Sequence, residues 1–380
     1  MSMMSSAGRS RGVGEKLRRL NWTIITLLCA LAFIGVIMHF SAAEGSWAGR
    51  PLQHGSRFVI VLAIAVGVAL LDSRMWLAIA YPIYFGTLML LVGVELFGET
   101  RMGATRWLHL GPVTVQPSEM MKIGIVLALA RYFQNLDPRN AGTLLWSIPP
   151  LLMIGAPVAL VMKQPDLGTA MLIALAGVSI MFLAGLRWRY IIPAAIAAVS
   201  GAVVAYFLVL QQYQRDRINT FLNPDADPLG TGYHVSQSKI AIGSAGLTGK
   251  GWMHGPQSQG DFLPEKHTDF IFTMIGEEFG LLGAVAVLAL YFTLFVLTMD
   301  VARRARTMFG RLAAAGIAMT LALYVVINTS MVIGLMPVVG IPLPLISFGG
   351  TAMLTLMAGY ALVLSIDLHR DQSATRGFLW

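Results

Sequence analysis

The sequence predicts an all-α polytopic membrane protein of about ten transmembrane helices, with both termini cytoplasmic. Three observations predict it. Hydrophobic residues make up 56% of the 380 positions and charged residues only 12%, about half the charge of a soluble domain. Apolar windows of roughly 18 to 25 residues recur along nearly the whole length, each long enough to cross a bilayer as a helix. Lys and Arg gather in alternate short connections, the pattern that orients a membrane protein. Helices are the spanning element because lipid cannot satisfy the backbone groups of an open strand.

The elements follow in order. A basic tail, 1–21, precedes a first span at 22–42. Its core from Trp22 to Phe40 runs ~19 residues, longer than a signal-peptide core of about 7–15, so it reads as a retained helix. Spans follow at 57–72, 75–97, 117–133, 146–163, 168–186 and 190–210. A large extracytoplasmic loop, 211–268, separates these from spans at 268–298, 312–336 and 349–367. A single membrane domain, 22–367, thus precedes a tail at 368–380. With the N-terminus inside, the inner segments 1–21, 73–74, 134–145, 187–189, 299–311 and 368–380 hold most of the 27 basic residues. The net charge of +8 is then an orientation signal, and nucleic acid is not an expected partner. Cys29 is the single cysteine, which leaves no intrachain disulfide. One echo, GTAMLIALAG at 168–177 and GTAMLTLMAG at 350–359, reads as shared packing or a weak repeat.

The inner loops are short and basic, whereas the outside carries the unusual chemistry: GATRWLHLGPVTVQPSE (103–119), KQPD (163–166), 211–268 and GIPLPLISFGG (340–350). An extracytoplasmic active surface is the inference. Ionisable groups at membrane depth are costly and mark candidates. Asp269 is expected to open the eighth span, with Thr268 as its cap and with Glu265, Lys266 and His267 beside it. Glu119 and Lys122, three apart behind Pro117, share a helix face. They form either an ion pair within the bundle or a site for an anionic ligand. Asp166 stands at a helix start, as a cap or as a cavity residue. Arg106 and Trp107, near His109, combine a cation with a flat ring, which suits an interfacial anchor or a phosphorylated sugar. Glu277 and Glu278 read as structural, and His234 and His254 as solvated. No P-loop, HExxH, clustered Cys/His set or G-x-S-x-G occurs, so nucleotide hydrolysis, common zinc sites and serine hydrolysis have no support.

GATRWLHLGPVTVQPSEMMK, KQPDLGTAML, FLPEKHTDFIFTMIGEEFG and GLMPVVGIPLPLISFGGTAML together resemble the shape, elongation, division and sporulation (SEDS) family, in order and over nearly the whole chain. GLTGKGWMHGPQSQGDFLPEKHTDF (246–270) is similar to the elongation branch more than to the division branch. It departs from the usual pattern at Pro256 and at Gly260-Asp261. The resemblance implies a peptidoglycan glycosyltransferase of the inner membrane, polymerising lipid II on the outer leaflet and controlling rod shape. Asp269 becomes the catalytic carboxylate. Arg106, Trp107, Glu119, Lys122 and Asp166 become substrate-binding cavity residues, with Lys163, Lys266 and His267 beside them. Implied partners are lipid II, the nascent glycan strand, a class B penicillin-binding protein transpeptidase and other elongation-complex membrane proteins. The resemblance fixes no cofactor, and Asp269 holding a divalent cation, Mg²⁺ or Mn²⁺, is a competing role. A lipid II flippase or a recruiting scaffold is the alternative; outer clustering of the ionisable groups favours the transferase.

Overall fold

The structure, a computed structural model, describes residues 12–101, 104–110, 113–137, 139–140, 142–208, 212–223, 231–260, 262–263 and 265–370. Its helices are α1 (Val13–Arg18), α2 (Trp22–Ala42), α3 (Arg50–Ala69), α4 (Ser73–Phe97), α5 (Pro117–Gln134), α6 (Leu144–Lys163), α7 (Leu167–Leu183), α8 (Trp188–Leu208), α9 (Gln212–Leu222), α10 (Thr231–Ser244), α11 (Pro256–Gln259), α12 (Ile271–Arg304), α13 (Met308–Val332) and α14 (Gly350–His369). A helix overlaps each expected span, although α3 begins seven residues before the expected 57 and α12 runs six residues past the expected 298. Seven of them are long and apolar enough to cross a membrane, namely α2, α3, α4, α6, α12, α13 and α14, and α7 is apolar but shorter. Residues 371–380 of the expected C-terminal tail, and 1–11 of the N-terminal one, lie outside the described residues.

The centre of the bundle is set by side-chain size. In α13 and α14, 72% of the apolar window is buried, against 22–28% in α3, α4, α6 and α12. Ala313, Ala314, Gly316 and Ala318 keep α13 slim on several sides, and small residues let membrane helices approach closely. A Cβ on Gly316 would lie 2.8 Å from Val126 of α5. The echo has a packing counterpart: Gly177 meets Ile154 and Gly359 meets Ile317, each too close for a Cβ.

Three features go beyond the expected bundle. First, β1 (Glu99–Arg101), β2 (Ala104–Leu110) and β3 (Val113–Val115) form a small antiparallel sheet between α4 and α5, with Trp107 opposite Glu99 and His109 opposite Thr114. Second, the expected loop 211–268 carries α9, α10 and α11. α10 packs on the bundle through Ser238, whose hydroxyl lies 2.7 Å from both Thr273 Oγ1 and the Val332 carbonyl.

Third, α12 breaks at Gly280 (φ 68°, ψ −162°). Four backbone bonds to the segment 246–251 repair the break. Lys250 N–H donates to Glu277 O (2.9 Å) and Gly251 N–H to Glu278 O (3.1 Å). Leu281 N–H donates to Gly246 O and Leu282 N–H to Leu247 O (both 3.1 Å). Irregular backbone at such a place is tolerated only where protein satisfies it. Upstream, residues 271–278 are all buried, whereas Leu281, Leu282, Val285, Phe292 and Val296 are exposed downstream.

Candidate active site

The turn that carries Asp269 lies before α12. The expectation that Asp269 opens the helix under a Thr268 cap is corrected: the helix starts at Ile271, Phe270 is its N-cap without a side-chain bond, and Thr268 Oγ1 donates to the Glu265 carboxylate (2.8 Å). The reason is that the carbonyls a longer helix would use are already committed. His267 O accepts from Phe348 N–H (2.9 Å), Thr268 O from Ser347 Oγ (2.6 Å) and Asp269 O from Asn328 Nδ2 (2.9 Å). The Asp269 carboxylate faces Gly340, where a Cβ would sit 3.6 Å from Oδ2.

Glu119 and Lys122 lie on the first turns of α5, which Pro117 opens without sacrificing a needed N–H. Both are buried, with Lys122 only 2% exposed. Lys122 Nζ donates to Glu119 Oε1 (2.6 Å) and to the Tyr324 hydroxyl, which in turn donates to Glu119 Oε2 (2.8 Å). The triad is closed and charge-balanced. Tyr324 and Asn328 stand one turn apart on α13, ~6 Å along its axis. Lys122 and Tyr324 also line a mostly apolar cavity with Pro342, Leu343, Pro344, Leu345 and Ser347. The segment that holds the Asp269 turn is therefore the roof over Lys122.

The third cluster sits at the α6–α7 corner. Asp166 caps α7, its Oδ1 accepting from Thr169 N–H (3.2 Å). Its Oδ2 accepts from Gln116 Nε2 (3.3 Å) and lies 3.9 Å from Arg106. Arg106 Nε donates to Gln164 O (3.2 Å) and its Nη2 to Pro165 O, which latches β2 to this corner. Gly168 comes so close to Val339 O that a Cβ would lie 2.4 Å away. All three clusters thus border the 339–348 segment.

Other expected residues are placed differently. Lys163 is exposed at the end of α6, one residue before Gln164, and Trp107 is half-buried in β2. Lys266 is turned inward: it is buried and Nζ donates to Ser258 O (2.8 Å), so it braces the loop. The His267 ring lies 6.2 Å from that of His39, which lies 4.8 Å from that of His54. Glu277 accepts from Gln257 N–H, Ser258 N–H and Ser258 Oγ (2.7–2.9 Å), and Glu278 bonds Ser41 and Gln259. Both carboxylates are thus held by protein donors. His254 is exposed, whereas the expectation of a solvated His234 is corrected: it is half-buried, 6.0 Å from the Phe270 ring. The side chain of His109 lies outside the described residues.

Tyr324, Asn328 and Ser347 were missed from sequence; the available signal was a polar group inside or beside an apolar run. Among the described residues, no three of His, Cys, Asp or Glu converge as metal ligands. The Glu119 and Asp166 carboxylates both accept hydrogen bonds from protein donors.

Residues 20–372 match the model of the family of cell cycle proteins that comprises FtsW, RodA and SpoVE. The chain is 44% identical over 352 residues to the peptidoglycan glycosyltransferase MrdB of Escherichia coli K12, covering 92% of this chain and 93% of that one. It is 33% identical over 366 residues to the probable peptidoglycan glycosyltransferase FtsW of Trichlorobacter lovleyi, covering 93% and 94%. Among solved structures, it resembles a chain of a peptidoglycan synthase complex that coordinates polymerization and crosslinking, with TM-score 0.79, 31% identity and coverage of 93% and 99%. It also resembles the Rod shape determining protein RodA of Thermus thermophilus, with TM-score 0.67, 28% identity and coverage of 92% and 97%. The chain belongs to the FtsW/RodA/SpoVE family of cell cycle proteins, the SEDS family.

Proposed function

We propose that the chain is a peptidoglycan glycosyltransferase that polymerises lipid II into glycan strands during cell elongation. Its higher identity to MrdB than to FtsW, 44% against 33%, favours the elongation branch over division. The substrate is a disaccharide-pentapeptide on undecaprenyl diphosphate. Forming a β-1,4 bond from an α-linked diphosphate inverts the anomeric carbon, so one in-line displacement suffices. The acceptor 4-hydroxyl attacks, its proton passes to a base, and the diphosphate leaves with the bonding pair.

One observation carries the assignment of roles: a single segment, 339–348, both holds the turn of Asp269 and roofs Lys122. Asp269 is the proton acceptor, a role that typically contributes ~10²–10⁴-fold. Lys122 meets the developing charge of the diphosphate. Glu119 and Tyr324 take two of its three donors, which leaves one for a phosphate oxygen. Arg106 and Asp166 fix the corner beneath, and Trp107 offers a stacking face for a sugar.

In this reading the protein lies in the inner membrane with its termini in the cytoplasm and the site facing the periplasm. Its partner is a class B penicillin-binding protein transpeptidase. That pairing draws support from the likeness to a synthase complex.

Asp269→Asn should abolish polymerisation of purified lipid II while folding and partner binding persist. Normal strands from that variant remove the assignment. Labelled lipid II supplied on one leaflet of proteoliposomes separates the alternatives: polymer supports the transferase, and leaflet exchange without polymer supports a flippase.

A further inference from the structure

We propose that Asn328 and Ser347 are positioning residues for Asp269, setting the direction in which its carboxylate meets the acceptor hydroxyl. This rests on the reading of Asp269 as the proton acceptor. A carboxylate on a turn outside a helix is free to swing with its peptide planes unless those planes are fixed. Here three consecutive carbonyls, of His267, Thr268 and Asp269, each receive a separate donor from another part of the chain. Two of the three donors are side chains, and each also grips the roof segment.

Asn328 is fully buried on α13. Its amide donates to Asp269 O (2.9 Å) and to Ile341 O (2.7 Å). Ser347, 4% exposed, accepts from Leu343 N–H (2.8 Å) while donating to Thr268 O (2.6 Å). Each residue therefore binds the Asp269 turn to the strip of chain that lines the Lys122 cavity. Because Asn328 lies one helical turn from Tyr324, the base and the cation are referenced to one rigid helix. An in-line displacement needs that constancy, since the base sits on the acceptor side and the cation on the leaving-group side. Both residues act through Asp269 and not on the reacting atoms.

The test uses the purified full-length chain with lipid II, measuring kcat, KM and melting temperature for each variant. Asn328→Leu keeps the branching and the number of side-chain heavy atoms and removes both donors, Ser347→Ala removes the hydroxyl, and Ser347→Thr retains it. Misplacing a reacting group by about 1 Å costs ~10²-fold. Asn328→Leu and Ser347→Ala should accordingly lower kcat ~10- to 100-fold with KM within about twofold. Ser347→Thr should recover most of the rate. Parental kcat in both disrupting variants overturns the inference. So does a loss that merely tracks the folded fraction, or a Ser347→Thr as slow as Ser347→Ala. If Asn328→Leu does not fold, the Ser347 pair decides alone. Asp269→Asn run alongside keeps the two failures apart: an active Asp269→Asn removes the base, whereas an inactive one beside parental Asn328→Leu and Ser347→Ala removes only the positioning role.

Discussion

Replacing Glu119 by Gln would leave Lys122, 2% exposed, with the Tyr324 hydroxyl and a neutral amide as its described partners. Removing one member of a buried ion pair costs about 3–5 kcal/mol, above the usual ~0.5–3 of a point substitution. Removing both members is different. Glu119→Leu with Lys122→Met returns the two desolvation penalties, a change that is often neutral or stabilising by about 1–4 kcal/mol. The same change strands the Tyr324 hydroxyl, at about 1–3 kcal/mol. These terms nearly cancel, so the double variant should melt close to the parent and well above Glu119→Gln. Polymerisation should show the reverse order of recovery. Loss of the cation removes stabilisation of the leaving diphosphate, worth ~10²–10³ in kcat by analogy with a lost oxyanion donor. The double variant should therefore be folded and nearly inactive. Thermal unfolding in micelles and a lipid II polymerisation assay on the same preparation read both quantities. A double variant that polymerises at the parental rate would refute the role of Lys122. An unchanged melting temperature for Glu119→Gln would refute the burial argument.

Two further outcomes follow from the geometry. Gly280→Ala places a Cβ 2.3 Å from Gly249 N at φ 68°, a conformation reserved for glycine at about 1–3 kcal/mol per violation. The 246–251 pairing should loosen and tryptic cleavage after the exposed Lys250 should accelerate ~10-fold; unchanged cleavage contradicts the repair seen at the break. Arg106→Lys keeps the charge but loses the forked donors to Gln164 O and Pro165 O. Polymerisation should fall ~10-fold or more because a lysine is a point charge without that geometry, and parental activity would mean that charge alone matters.

The membrane helices were legible because hydropathy over a 20-residue window is an average, insensitive to any single position. Asp269 was legible as a site candidate for the opposite reason, as charge where charge is expensive. What escaped was fixed by contacts distant in sequence. The start of α12 depends on Ser347 and Asn328, far along the chain, taking carbonyls that a helix would otherwise use. Tyr324 and Asn328 hide in YVVINTSMV, where a few polar residues scarcely change a window average. The helix break was half visible: Gly280 lies in EEFGLLG, but nothing local says that GLTGKG will supply its partners. Nor does anything local to Lys266 say that its ammonium will go to the Ser258 carbonyl.

The interruption at Gly280 also divides mechanical duties. The stretch from 281 to 304 is about 36 Å long at 1.5 Å per residue, a little more than the ~30 Å hydrocarbon thickness, so a thinner or thicker bilayer acts on it by changing its tilt. An uninterrupted rod would carry that lean straight to its upper end. Here the change of direction at Gly280, braced by the 246–251 segment, sets the buried 271–278 half apart from the exposed shaft.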